Sequence, residues 1–407
     1  MNRENLLFIG VDLHKAEHTA VLVNCWNEWL ETVTIENKPS DFPKLTKLVN
    51  KRAKALGVSP VYGLENAYGY GRSLAVWLVE QGYCVKDVNS ALAHSQRKSA
   101  PTFEKNDEHD AYAVATVMIN QLHKLPDVKP DNAYWTLAQL DARREALVVD
   151  GTRLKNGLHE QLFVPYPSYK KFFGDIDGKV AMYFWKTYPS PVHLQGKTAE
   201  ELLREFKTVV RSTKKDKARL ILEYVGNDGD THKDFQEARD FITQSLARSL
   251  EQQQAELQFV ESEIERMLTN FEHKLTTLPH VGATTACKLI SEIGDISRFR
   301  SSNALARYVG AAPANFSSAG KGKDVSSTQG NRRLNGIFHF MAVGAVGLQP
   351  GSKKPYYPVF REYFERKVSE GKTGAQAIVC VMRRLVTIVY SMMKTNTEYR
   401  PYKSNEE

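Results

Sequence analysis

The 407-residue chain is 42% hydrophobic and 25% charged, the composition of a soluble globular protein, and it is long enough for two or three domains. Its net charge of +8 suits a polyanionic partner, although charge alone names none. Four scattered cysteines, Cys25, Cys84, Cys287 and Cys380, argue against a disulfide framework or structural zinc, and the lack of a signal peptide or an uninterrupted apolar run of about 18 residues points to the cytoplasm and away from membranes.

Residues 6–14, 18–24 and 29–37 read as three β-rich runs joined by short turns, an antiparallel meander. A helix follows, opened by Ser40 or Asp41, with Leu45, Leu48 and Val49 along one face. Strand 61–66, helix 71–82, strand 83–89 and helix 106–120 come next, so this part is a mixed sheet flanked by helices. Residues 135–162 form a basic amphipathic helix with Leu140, Leu147, Leu154 and Leu158 on one side. Residues 164–232 are less regular, and a ThrAlaGluGlu capping box at 198–201 marks a small helical insertion. One long helix is expected over 235–271, where Leu257, Val260, Ile264, Met267 and Phe271 alternate by three and four. That seam pairs with 135–162 in the same chain, with another chain, or with both. LeuProHisValGly at 278–282 turns into a helix at 283–294, resembling a helix–hairpin–helix element whose turn lets backbone N–H groups approach a phosphate. A Gly/Ser/Lys-rich loop at 310–330 and helices at 331–348, 356–369 and 373–394 complete the chain. The fold class is α/β plus all-α: a mixed sheet (1–128), a helical linker and coiled coil with an insertion (129–274), a mostly helical C-terminal domain (275–400) and a tail (401–407).

Charge is distributed unevenly. Between Arg298 and Arg361 stand ten Lys or Arg against one acid, Asp324, an asymmetry that phosphate neutralisation requires and a merely solvated surface seldom does. Acids of the first domain form a second pattern. Asp12 lies inside an otherwise apolar strand, which is costly without a partner. Glu65 ends the later strand, and Asp107 and Asp110 open a helix at i and i+3, facing one way. Singly, Glu65 also reads as a cap for the following helix, and for the helical pair the commoner reading is first-turn acids complementing a dipole. Gathered at the strand ends, the four would repel one another unless divalent cations held them, and a pair of Mg²⁺ ions there would clamp a phosphodiester.

GVDLHK, GLEN and KNDEHDA resemble the Asp-Glu-Asp-Asp signature of the RuvC-like transposases of bridge-RNA-guided insertion sequences. The resemblance covers the whole chain, most weakly across 164–232. It implies an RNase H-like fold, with Asp12, Glu65, Asp107 and Asp110 as the metal-binding quartet and Lys15 near a phosphate. Small residues, hydroxyls and lysines at 308–323 make a loop that a phosphate can approach, though such a stretch alone is more often a linker. In the family this segment is Gly-x-x-Pro, then Ser-Gly-Gly-Lys, then a Lys/Arg-Gly-Asn-Arg-x-Leu helix. This chain has Gly310 and Pro313, Ser318 to Lys321, and GlnGlyAsnArgArgLeu at 329–334. The family's serine is a covalent nucleophile, and its position here is Ser318, with Ser317 adjacent. Ala319 and Gln329 depart from the pattern, the first restricting the loop's backbone and the second removing a basic residue.

By that resemblance the protein is an RNA-guided recombinase, nucleoid-associated when acting. Its partners are donor and target DNA, a structured non-coding bridge RNA, and further copies in a homodimer or homotetramer. Mg²⁺ is the expected cofactor, and Arg298, Lys321, Lys323, Arg332 and Arg333 are the expected phosphate contacts besides Lys15. The alternative is a RuvC-like nuclease or resolvase in which water attacks. A sugar-kinase or actin-like ATPase would need a second Gly-rich phosphate loop after another aspartate, and none follows Gly282. A non-enzymatic DNA-binding protein is the remaining alternative.

Overall fold

Six consecutive residues of β1 (Leu6–Leu13) are buried, because this strand lies at the centre of a sheet covered on both faces. In the computed structural model β1 pairs antiparallel with β2 (Glu17–Val23), and β2 antiparallel with β3 (Trp29–Glu36). Helix α1 (Phe42–Leu56) leads to β4 (Ser59–Glu65), parallel to β1; α2 (Arg72–Glu80) leads to β5 (Cys84–Val88), parallel to β4. The sheet order is β3-β2-β1-β4-β5. Helices α3 (Ser90–Lys98) and α4 (Asp107–Gln121) follow. The structure describes residues 2–65, 67–99, 106–128, 132–312, 314–318, 321–325 and 330–401, with the backbone alone at 132, 314–318 and 321–325. Its two compact units are 1–135 and 136–407.

Strand alternation divides the first unit's core. Leu7, Ile9, Val11, Tyr62 and Leu64 pack with α1 and α2 through Phe42, Leu45, Leu74 and Leu78. Leu6, Phe8 and Val61 face the other way, toward Ala111, Val114, Ala115 and Met118 of α4. Two glycines set how closely α4 lies on this face. Gly10 and Gly63 are register partners in β1 and β4. A Cβ at Gly10 would stand 2.0 Å from the Ala111 carbonyl oxygen and 2.5 Å from the Ala115 nitrogen; one at Gly63 would stand 2.4 Å from Met118 Sδ. Gly10→Ala must therefore push backbone away from backbone. We expect it to lower stability by about 2–3 kcal/mol, read as an earlier urea midpoint. An unchanged midpoint would mean that α4 moves freely off the sheet.

The second part of the chain is helical. It comprises α5 (Asn132–Leu162), α6 (Lys179–Thr187), α7 (Ala199–Val209), α8 (Lys217–Asp228), α9 (Gln236–Leu268), α10 (Ala283–Ile293) and α11 (Ser302–Val309). A hairpin of β6 (Ala314–Ser318) and β7 (Lys321–Val325) precedes α12 (Arg332–Ala345), α13 (Pro358–Ser369) and α14 (Gly374–Thr395). The stretch expected as a loop at 310–330 thus contains two short antiparallel strands. The predicted capping box at Thr198 is formed, its hydroxyl accepting from the Glu201 N–H. The residues of 164–232 have their own aromatic core of Tyr166, Phe172, Phe184, Trp185 and Phe206.

Helices α5 and α9 run side by side in opposite directions within the chain. Arg144 pairs with Glu261 at 2.8 Å, the Gln253 amide donates to the Leu147 carbonyl, and Gly157 lies against Leu246. The two expected helices therefore pair with each other within one chain. Before α10, the turn expected to start a helix–hairpin–helix element is entered by only a 3-10 turn, Leu275–Thr277, with His280 in the left-handed region. Among the described residues one helix, α14, is long and apolar enough to cross a membrane by length and composition. Its Val381, Leu385, Val389 and Met392 are buried in the protein, and Arg383 and Arg384 interrupt it.

Candidate active site

The two paired glycines also explain where the acids stand. Asp12 is two residues past Gly10 and Glu65 two past Gly63, so strand alternation turns both carboxylates toward α4. Asp107 and Asp110 lie in the first turn of α4, whose N-cap Asn106 accepts from the His109 N–H. Asp12, Glu65 and Asp110 are largely buried, and Asp107 is half exposed. The close seat of α4 on the sheet thus brings its acidic first turn against the ends of the central strands.

Two cationic or potentially cationic side chains bridge the acids in pairs. His14 Nε2 is 3.0 Å from Asp12 Oδ2 and 3.3 Å from Asp107 Oδ1. Arg97, on α3, lies 3.3 Å from Glu65 Oε2 and 3.4 Å from Asp110 Oδ1. Asp12 Oδ1 accepts from the Leu13 N–H. The buried oxygens Asp12 Oδ2 and Asp110 Oδ1 have charge neighbours but no well-directed hydrogen bond. Burial raises the Asp12 pKa above the ordinary aspartate value; His14 lowers it, and the charges of Asp110, Asp107 and Glu65 raise it further. Burial pulls the His14 pKa down, but Asp12 and Asp107 outweigh it and the net direction is upward.

This donor set fits a divalent metal. Asp12, His14 and Asp107 each place one ligand atom within 4.8 Å of the other two. Hard carboxylate oxygens with spare lone pairs, strained by mutual repulsion, are what such an ion neutralises. The four acids expected from the sequence come together, joined by two residues that expectation had passed over. His14 stands two places from Asp12, one residue past the end of β1, and that short spacing is the signal that would have identified it. Arg97 lies in α3, a helix not expected at all.

The second cluster of expected residues is less complete. The side chains of Ser317, Ser318, Lys321 and Lys323 lie outside the described residues; on the backbone, Ser318 pairs with Lys321 next to the hairpin's turn. The hairpin's base is described. Gly330 has φ +130°, and a Cβ on it would stand 2.8 Å from the Gly310 nitrogen, while the Asn331 N–H donates to the Tyr308 carbonyl. Asn331 caps α12 by accepting from the Leu334 N–H, and its amide donates to Glu292. Arg333 is not placed for the expected phosphate contact. Its guanidinium donates to Asp141 (2.7 Å), Glu145 (2.7 Å) and Glu292 (2.8 Å), because the fully buried Asp141 requires a cation. Arg332 and Lys15 are exposed, and exposed Arg298 stacks over the rings of Phe299 and Tyr308, each at 4.8 Å.

Two transposase family models match this chain. A transposase family model of the DEDD type matches residues 9–167, spanning all four acids, and the transposase IS116/IS110/IS902 family matches residues 272–357, spanning Ser318. An uncharacterized 43.6 kDa protein of insertion element IS110 from Streptomyces coelicolor is 24% identical over 97% of this chain and 95% of its own length. A pilin gene-inverting protein from Moraxella bovis is 24% identical over 97% of each chain, and an uncharacterized 44.8 kDa protein of insertion element IS116 from Streptomyces clavuligerus is 22% identical over 98% and 97%. With an IS110-type transposase domain at one end and an IS116/IS110/IS902-type transposase domain toward the other, this chain is an enzyme that acts on DNA, a transposase or recombinase.

Proposed function

We propose that the protein is an RNA-guided DNA recombinase of an insertion sequence, cutting and rejoining strands through a phosphoserine link at Ser318. The observation that carries the DNA-cutting part is the convergence of Asp12, Glu65, Asp107 and Asp110 on one face of the sheet, which supports an RNase H-like catalytic domain. In this reading the Ser318 hydroxyl oxygen bonds to the scissile phosphorus. The bond from phosphorus to the departing strand's oxygen breaks, and that oxygen leaves as a free hydroxyl, taking up a proton in place of the one the serine gives up. Reversal with the free hydroxyl of another strand rejoins DNA and restores the serine. A divalent ion, Mg²⁺ by the hardness of these donors, supplies charge neutralisation at the pentavalent phosphorus when bound. Asp12, Glu65, Asp107 and Asp110 line the site that would hold it, with Asp12 and Asp107 nearest the potential ligand His14.

RNA guidance and assembly as a dimer or tetramer rest on the resemblance of the whole sequence to the bridge-RNA-guided transposases. Base pairing would then read the DNA sequence, leaving the protein to recognise shape and backbone. Two measurements test the proposal. Sequencing the nucleic acid that copurifies should return one discrete RNA species. Trapping the protein on a cleaved DNA substrate and mapping the adduct by mass spectrometry should place the phosphate on Ser318, and Ser318→Ala should form no adduct. Full DNA cleavage by Ser318→Ala without any adduct would favour attack by water and discard the serine mechanism.

A further inference from the structure

The four carboxylates are not equivalent: they fall into two pairs, each bridged by a different kind of group. Between Asp12 and Asp107 stands His14, half exposed, whose imidazole nitrogen is itself a metal ligand. Between Glu65 and Asp110 stands Arg97, largely buried, its Nη1 donating to Glu65 Oε2 and its Nε forming a 3.4 Å ion pair with Asp110 Oδ1. A guanidinium offers no lone pair to a metal and stays charged at any working pH. The first pair therefore gains a ligand from its bridging residue, whereas the second is already occupied by a fixed positive charge.

The placement of Arg97 is built in. It sits in the last turn of α3, which opens at Asn89, whose side chain accepts from the Ala91 N–H. Helix α3 anchors through Ala93, buried in the same core as Ala111, Val114 and Met118 of α4. The arginine thus reaches the acids from a packed helix, and the oxygen of Asp110 that it faces is buried.

We propose that Arg97 serves as the second cation of this centre, so that the chain takes one divalent ion, on the Asp12–His14–Asp107 side, where a pair of ions would be expected from four acids. This inference rests on the carboxylate centre proposed above. One divalent ion and one guanidinium leave the four carboxylates with a single net negative charge; two ions beside the same guanidinium would leave a net positive one. Arg97 would hold Glu65 and Asp110 in position without a second ion. Its charge would also keep a further cation out of that half of the site.

The test counts ions on the full-length protein, with Mn²⁺ as the probe and electron paramagnetic resonance of the free ion as the readout. The wild type is expected to bind one Mn²⁺ per chain. Arg97→Gln, which frees Glu65 and Asp110 as ligands, is expected to bind two, and Arg97→Lys, which keeps the charge, one. Two ions in the wild type, or a single ion of unchanged affinity in Arg97→Gln, overturns the inference and leaves the metal centre standing. No Mn²⁺ in the wild type, or an undiminished count in Asp12→Asn, removes the centre itself and this inference with it. The wild-type count is decisive even if a variant fails to fold.

Discussion

Asp12→Asn is expected to abolish DNA strand cleavage, by at least about a thousandfold, while leaving the protein as stable as the wild type or more so. Asparagine keeps the shape of the side chain and the oxygen that accepts from the Leu13 N–H. It removes only the charge. That charge is unfavourable in the folded chain: burial and then the neighbouring acids hold the Asp12 pKa above its ordinary value despite His14. A raised carboxylate pKa favours the folded state below the unfolded value, and that favour is lost as pH rises through the folded value. The stabilising effect of asparagine should therefore be present at neutral pH and fade on acidification, when the wild-type carboxyl protonates too. Measured in chelator, thermal melting of the two proteins should show this convergence toward low pH. Nicking of supercoiled DNA with Mg²⁺ present should show the loss of activity. A variant that still cuts at the wild-type rate would detach the acids from the chemistry, and one that melts well below the wild type at neutral pH would show that the carboxylate is structural.

That trade of stability for a charged site was partly legible in the sequence. An aspartate amid Leu, Ile and Val in β1 announces that something must meet it, and the spacing of Glu65, Asp107 and Asp110 on a strand end and a helix start allowed the quartet to be assembled beforehand. What brings the four together is less visible. Gly10 and Gly63 look like ordinary strand glycines until α4 is seen lying against them. Helix α3 escaped because it has no amphipathic stripe: only Ala93 is buried, so its nine residues read as polar connection. Arg97 was lost with it. The pairing of α5 with α9 needed a contact that periodicity does not encode, and Arg144–Glu261 and Gln253–Leu147 supply it. Gly/Ser/Lys composition gave the 314–325 hairpin no strand signal, and its strands stand on a base closed by Gly310, Gly330 and the Asn331–Tyr308 hydrogen bond. In the GlnGlyAsnArgArgLeu motif, sequence alone points Arg332 and Arg333 toward phosphate. The motif's Asn331, Arg333 and Leu334 prove to be a helix cap, an ion-pair hub and a core residue, because their partners lie dozens to nearly two hundred positions away.

Arg333→Ala is accordingly expected to be among the more destabilising single changes in the C-terminal unit, by about 2–3 kcal/mol, below the full penalty for an uncompensated buried ion because Arg333 is 37% exposed and Lys288 still acts on Asp141. Asp141 is fully buried and already has a raised pKa, chiefly through burial, with Lys288 and Arg333 acting against it. Without Arg333 its Oδ2 loses a 2.7 Å partner while Oδ1 has none to begin with. Glu145 has its pKa lowered: burial pushes it up, but Lys288 and Arg333 outweigh that, so it also loses part of its stabilisation. The sign with pH follows from both. Removing the arginine lifts the folded-state pKa of Asp141 further and brings Glu145 closer to its unfolded value. Both costs are largest where the carboxylates are charged and shrink as they protonate. The urea midpoint of Arg333→Ala should therefore trail the wild type most at pH 8 and least near pH 5. The double variant Asp141→Leu with Arg333→Met, which removes the buried charge along with its cation, should recover much of the loss. Because Asn331 and Arg333 share Glu292 at the foot of the hairpin, the variant should also loosen the Gly310–Gly330 closure, read as faster amide exchange at Asn331. Equal destabilisation at both pH values, or no recovery in the double variant, would show that Arg333 stabilises by packing and that the carboxylates do not need it.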